Sequence, residues 1–347
     1  MPHAITTPDA LDLPRPYLLF LGEAADFPYA KTAQGLKDWA PEFCSGEFNC
    51  AGSETSVGLP RLTPREAHDR GARAAVIGVA NIGGALKDSW IVSLIDAMHA
   101  GLDIVSGLHG RLADTPALGE AAARLGRRLI DVRVPPPRIP VASGRKRSGR
   151  RLLTVGTDCA LGKKYTALSL ARSFRSRGVA CDFRATGQTG ILIAGSGIPM
   201  DAVVADFVAG AAELLSPDAD AAHWDLIEGQ GSLFHPSYAG VSLGLLHGSQ
   251  PDIIVLCHEV GRDYVMGLDG YRTPSLGETI EVTLKLASRT NRKVRCAGVA
   301  INTAGVSATE ARAVLARHAA ETELPAADPM RGGAEFERLV ESCLKDG

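Results

Sequence analysis

Short apolar runs alternate with longer amphipathic stretches along most of the chain. In the first half, Tyr17 to Leu21, Ala74 to Val79, Leu102 to Val105 and Arg128 to Val132 read as buried strands. Ser89 to Ala100 carries helical spacing. Apolar runs bounded by turn residues suit strands covered on both faces, and their alternation with helices predicts a parallel sheet. The turns at Gly22-Glu23, Asn81 to Gly84 and Ser106 to Gly110 each follow a strand, so they are expected at one edge of that sheet. Lys87, Asp88 and His109 are candidate contributors there, although plain turns between strand and helix explain them equally well.

The pattern breaks at Val134 to Pro140, which reads VPPPRIP. Proline fixes φ and removes a ladder donor, so this stretch is neither interior strand nor helix. A basic run, Arg145 to Arg151, follows. Residues 134–150 therefore read as a linker between a domain over 1–133 and another over 151–347, with the basic run facing water. In the second half, Leu152 to Val155, Ala180 to Thr186, Trp224 to Glu228, Asp252 to Cys257 and Cys296 to Ile301 predict strands. Helices are expected over Lys163–Arg177 and Asp201–Leu215, and near 277–289, 307–321 and 333–345. The fold class is α/β: a Rossmann-like parallel-sheet domain followed by a doubly wound domain of the P-loop NTPase type.

Length supports that division, since 347 residues exceed what one core usually holds. The net charge of -2 offers no bulk attraction to nucleic acid or anionic membrane, so neither is expected as a partner. Seven cysteines, an odd number with no C-x-x-C pair, argue against a disulfide framework or a zinc site and for a reducing compartment. The N-terminus lacks a basic region ahead of an apolar core, and no run approaches the roughly 18 apolar residues of a membrane span. A cytoplasmic protein is expected.

The sharpest chemical signal is Gly156-Thr157-Asp158-Cys159-Ala160-Leu161-Gly162-Lys163-Lys164-Tyr165-Thr166. It leaves a strand and opens a helix. Glycines let the backbone curl so that several N–H groups converge, the helix N-terminus adds partial positive charge, and Lys163 adds a full one. The loop departs from the usual pattern twice. Five residues separate Gly156 from Gly162, and Lys164 stands where a Ser or Thr normally binds magnesium. Thr166 sits two positions too late to replace it simply. No metal is assigned.

The longer spacing resembles the G-T-D-x-x-x-G-K loop of dethiobiotin synthetase and its relatives. Asp225 to Ser232 (DLIEGQGS) resembles that group's E-G-x-G-G strand end, and Ala297 to Asn302 (AGVAIN) its adenine-contacting strand. The resemblance implies Glu228 beside the phosphates and Asn302 beside a purine. A second resemblance covers nearly the whole chain. Arg184 to Gly190 (RATGQTG), Ile191 to Pro199 (ILIAGSGIP), Glu228 to Gly240 (EGQGSLFHPSYAG) and His247 to Pro251 (HGSQP) are similar to a two-domain P-loop family that includes bacterial D-glutamate N-acetyltransferases. Where relatives carry G-K-M-T-T, this chain has Gly162-Lys163-Lys164-Tyr165-Thr166.

That resemblance implies acetyl transfer from acetyl-CoA to D-glutamate, and a homo-oligomer is expected. Gly156, Thr157, Asp158, Gly162, Lys163, Lys164, Tyr165, Thr166 and Asn302 would then face the cofactor. An attacking amine must first lose a proton, and a positioned base contributes ~100- to 10,000-fold. Glu228, His235, His258 and Glu259 are the candidates. Carboxylates of the substrate call for arginine. Arg184 is favoured over Arg262 and Arg272 because it ends a strand, and Gln188, Thr189 and Ser232 offer hydrogen bonds. Cys159 could be a low-pKa thiol, though small apolar packing explains it too. The alternative is an ATP-dependent ligase or kinase using Mg2+ at Glu228, and a third reading is a nucleotide-dependent regulator.

Overall fold

The computed structural model describes residues 10–23, 30–50, 52–79 and 86–345. The expected turn at Asn81 to Gly84 lies outside them, as do the first nine residues. The chain divides into two compact units. One comprises Ala10–Pro135 with Gly187–Ala202, and the other Pro136–Thr186 with Val203–Gly347.

The N-terminal unit contains β1 (Tyr17–Phe20), α1 (Lys31–Trp39), β2 (Cys44–Phe48), α2 (Pro64–Asp69), β3 (Ala74–Ile77), α3 (Asp88–His99), β4 (Asp103–Ser106), α4 (Pro116–Leu125) and β5 (Leu129–Asp131). Its sheet is parallel, in the order β2-β1-β3-β4-β5. Four of these strands match the apolar runs. β2 does not, because Cys-Ser-Gly-Glu-Phe at a sheet edge needs little apolar cover. The side chain of its buried Glu47 accepts instead from the amides of Val57 (2.9 Å) and Leu59 (3.3 Å).

The second unit contains β6 (Arg150–Gly156), α5 (Lys163–Ser176) and β7 (Cys181–Arg184). The chain then contributes α6 (Gln188–Ala194) to the N-terminal unit and returns through α7 (Val208–Leu215). After it come β8 (Trp224–Ile227), α8 (Ala239–Ser249), β9 (Ile253–Glu259), α9 (Leu276–Ala287), β10 (Arg295–Asn302), α10 (Ala308–Thr322), β11 (Ala326–Ala327) and α11 (Gly333–Leu344). The helix expected from Asp201 starts only at Val208, behind two short 3-10 turns. This sheet is also parallel, in the order β11-β10-β9-β6-β8-β7.

Both faces of the second sheet are covered, so consecutive residues of a strand enter different cores. Val255 and Cys257 join Leu152, Phe174, Leu226 and Leu339 on one side. Leu256 joins Leu276, Val299, Ile301 and Leu315 on the other. β6 lies between β8 and β9, where the winding of the sheet reverses, and the crevice above such a strand is the usual ligand position.

Two arginines of the basic run do not face water, whereas Arg145 and Lys146 are exposed. Arg147 and Arg151 are buried, 5% and 1% exposed. Arg147 donates to the carbonyls of Ala212 (3.4 Å), Gly248 (2.5 Å) and Ser249 (3.2 Å). Arg151 donates to those of Ser148 (2.9 Å), Ser216 (3.4 Å) and Pro217 (2.7 Å). Arg145 pairs with Asp218, and Lys146 with Asp252. The cations satisfy carbonyls that the ends of α7 and α8 leave open, where cations are favoured.

Candidate functional site

The loop after β6 is shaped by three positions. Ala160 (φ +54) and Gly162 (φ +106) take left-handed conformations, which turn successive amides to one side. Gly156 leaves room for the lysine, since a Cβ there would stand 3.0 Å from Lys163 Nζ and 3.2 Å from the Asp158 carbonyl oxygen. Gly162 is the N-cap of α5 and gives it no side-chain cap, so the first-turn amides stay available to an anion. Lys163 is 6% exposed, and its Nζ donates to the Asp158 carbonyl at 2.7 Å. Burial lowers its proton affinity, against the opposing pull of Cys159, Cys257, Asp158 and Glu228.

Side chains from neighbouring strand ends lock the loop. Asp158 is fully buried. Its Oδ2 accepts from Arg262 Nη1 (3.1 Å) and the Met266 amide (2.8 Å), and its Oδ1 from the Cys159 amide (2.6 Å). Ser232 Oγ donates to the Thr157 carbonyl at 3.1 Å. Thr157 Oγ1 and His258 Nδ1 lie 2.9 Å apart. Burial, with the His318 ring 6.0 Å away, drives the His258 imidazole down to about 4, so it is neutral at neutral pH. Glu259 pairs with Arg262 and also accepts from Asn302 Nδ2 at 3.1 Å.

On the other side of β6, Glu228 is 6% exposed and accepts the Thr186 amide at 2.9 Å. The Gly229 amide donates to Thr154 Oγ1 at 2.9 Å. Any Cβ on Gly229 would fall 1.7 Å from the Thr154 carbonyl oxygen, which explains glycine there. His235 is 3% exposed, and its Nδ1 accepts from the Ser237 amide at 3.1 Å. That bond leaves the proton of the neutral ring on Nε2. One of its ring nitrogens lies within 4.8 Å of both Cys159 Sγ and an Asp158 carboxylate oxygen.

The structure thus gathers Gly156, Thr157, Asp158, Gly162, Lys163, Ser232, His235, His258, Glu259 and Asn302 into one bonded neighbourhood, with Glu228 flanking it. Several hold each other rather than standing open. Both ends of the Asn302 amide are engaged, with Glu259 and with the Ala304 amide (3.1 Å). Thr166 turns inward, its hydroxyl 3.5 Å from Cys257 Sγ. Lys164 sits beside Tyr165, its Nζ 5.3 Å from the ring centroid.

Arg184 points away from the loop, with its Nε 2.7 Å from buried Asp225 and an Nη 3.1 Å from Asp182. Gln188 and Thr189 belong to the N-terminal unit. Gln188 packs on Gly107, where a Cβ would lie 2.6 Å from its own, and Thr189 Oγ1 lies 3.1 Å from Thr32 Oγ1. In the same unit Lys87 pairs with Glu23 (3.1 Å), and Arg133 bonds His109 Nε2 (2.9 Å) and Asp201.

Thr154, His318 and the Met266 amide escaped the sequence reading. Thr154, a hydroxyl inside an apolar strand, was the one visible signal among them. The other two come from segments more than fifty residues away from their partners.

Comparison with known proteins adds independent findings. A family model described as a P-loop domain of unknown function, DUF1611_C, matches residues 140–340. Its companion, the Rossmann-like DUF1611_N, matches residues 48–135. The chain is 50% identical over 327 residues to a D-glutamate N-acetyltransferase of Tritonibacter scottomollicae, covering 94% of this chain and 98% of that protein. It is 46% identical over 320 residues to one from a Pseudoalteromonas species, covering 92% and 96%. A crystal structure of a DUF1611 family protein from Anabaena variabilis superposes with a TM-score of 0.86 at 33% identity, covering 96% of this chain and all of that one.

Proposed function

Because this chain belongs to the DUF1611 family of two-domain P-loop proteins, we propose that it is a D-glutamate N-acetyltransferase drawing its acetyl group from acetyl-CoA. The observation that carries this reading is identity of 50% and 46%, spread over almost the whole length, to two proteins of that name.

The loop's residues fit the cofactor. The cradle of Gly156, the uncapped amides of α5 and buried Lys163 suit a diphosphate. Lys164 next to Lys163 suits a highly phosphorylated ligand and gives no hydroxyl for magnesium. When bound, acetyl-CoA supplies an activated acetyl thioester.

The chain's own groups divide the remaining work. His235, with its proton on Nε2, is a hydrogen-bond donor to negative charge rather than a base. Glu259 is committed to Arg262 and Asn302. His258 is neutral, but the burial that keeps it so also disfavours its taking a proton from the substrate ammonium, which leaves Glu228 as the remaining candidate base. Arg184 is already paired with Asp225. Exposed Arg272 stacks on the Tyr264 ring at 5.2 Å and has no carboxylate partner among the described residues, so it is the better candidate for a substrate carboxylate.

Incubating purified protein with acetyl-CoA and D-glutamate should release free thiol, with release depending on both. No thiol, together with Mg2+-dependent ADP formation from ATP, would instead support a ligase or kinase.

A further inference from the structure

Most thiols of this chain are sealed in. Cys50, Cys181, Cys257, Cys296 and Cys343 are buried, and burial pushes each thiol up, Cys257 and Cys296 to about 11 and Cys343 to about 12. Two are partly exposed. Cys44 donates to the Ala40 carbonyl at 3.6 Å and is pushed up to about 12 by burial. A thiol so held reacts poorly, because the thiolate is the nucleophile.

Cys159 is the other partly exposed thiol, and its surroundings differ. It sits in the phosphate loop, ahead of α5, next to exposed Ala160. A His235 ring nitrogen and an Asp158 carboxylate oxygen lie within 4.8 Å of the sulfur. The negative charge of Asp158 is largely spent on Arg262 and on the amides of Met266 and Cys159. The loop opens α5, and the partial positive charge at a helix N-terminus favours a nucleophilic sulfur placed there.

We propose that Cys159 is a covalent modification site, where thiol–disulfide exchange with a low-molecular-weight disulfide closes the phosphate loop to its nucleotide cofactor. The Cys159 thiolate attacks one sulfur of the disulfide RSSR, forming a new S–S bond as the old one breaks. The departing RS⁻ takes the electron pair and the proton that Cys159 gave up, so Cys–SH and RSSR become Cys–S–S–R and RSH. The attached R group stands inside the loop that Lys163 and the α5 amides form. The closure rests on reading that loop as the seat of acetyl-CoA, whereas the reactivity of the thiol does not.

The test uses the full chain and 5,5′-dithiobis(2-nitrobenzoate), a disulfide whose released thiolate is coloured. One thiol should react at least about tenfold faster than the rest. Peptide mass mapping should place it at Cys159, and Cys159→Ser should abolish the fast phase. His235→Gln, checked for an unchanged melting temperature, should slow it. Saturating acetyl-CoA should protect, and the adduct should bind acetyl-CoA at least about tenfold more weakly until dithiothreitol restores it. A fast phase mapping to Cys44, or none at all, would overturn the site. Fast labelling of Cys159 with undiminished affinity of the adduct would overturn the closure. If the unmodified protein failed to bind acetyl-CoA while Cys159 still labelled fast, the cofactor reading would fall and the closure with it, but not the reactive thiol.

Discussion

At Lys163, burial and charge oppose each other. Its ammonium sits beneath the loop and spends a hydrogen bond on the Asp158 carbonyl. A charge-assisted hydrogen bond is worth about 1.5–3 kcal/mol, so Lys163→Ala should weaken acetyl-CoA binding about 10- to 100-fold by calorimetry. Unchanged affinity would remove the loop from the cofactor site. His258 supports a second residue-level expectation. Its folded value of about 4 lies below the ordinary 6.5. Between those values the unfolded chain holds a proton that the folded chain refuses. Its contribution to stability is complete above 6.5 and is lost as pH falls through that window towards 4. The melting temperature of the native protein should therefore fall more steeply with acidification there than that of His258→Gln. Parallel curves across the window would contradict the assignment.

The elements meet at contacts that glycine makes possible. β6 and the turn after β8 approach so closely that Gly229→Ala places a methyl carbon 1.7 Å from a backbone oxygen, which must move. Overpacking of this kind costs about 1–3 kcal/mol, and the backbone here has little room to yield. Gly240, near the start of α8, has nothing within 4 Å of its would-be Cβ. Gly240→Ala should leave stability unchanged or raise it by up to about 1 kcal/mol through helix propensity. Denaturant melts of the pair test this contrast, and equal effects would refute it. Helix packing explains part of the HGSQP string in the same way. A Cβ on Gly248 would lie 2.1 Å from the Ala209 carbonyl oxygen, so α7 and α8 cross at backbone distance.

For the whole molecule, the chain path matters more than the proline-rich break. Residues 187–202 fold with the N-terminal unit, where Ile191 and Leu192 are fully buried. A fragment starting at Pro136 carries α6 without α1, against which it packs. It should be expressed as aggregate or bind a hydrophobic dye strongly, whereas a cooperative, soluble fragment of residues 136–347 would contradict this. By itself the sequence determined two parallel α/β sheets, the phosphate loop and the strand ends that flank it. Those follow from local facts: apolar runs of strand length, glycine spacing, and a lysine opening a helix. Only the tertiary structure decided which polar groups stay open. Arg184 was spent on Asp225, Arg147 and Arg151 on helix-end carbonyls, and Asn302 on Glu259, because each partner lies on a different segment and sequence spacing carries no record of it. For the same reason, only the fold brought His235 to Cys159, seventy-six residues away along the chain.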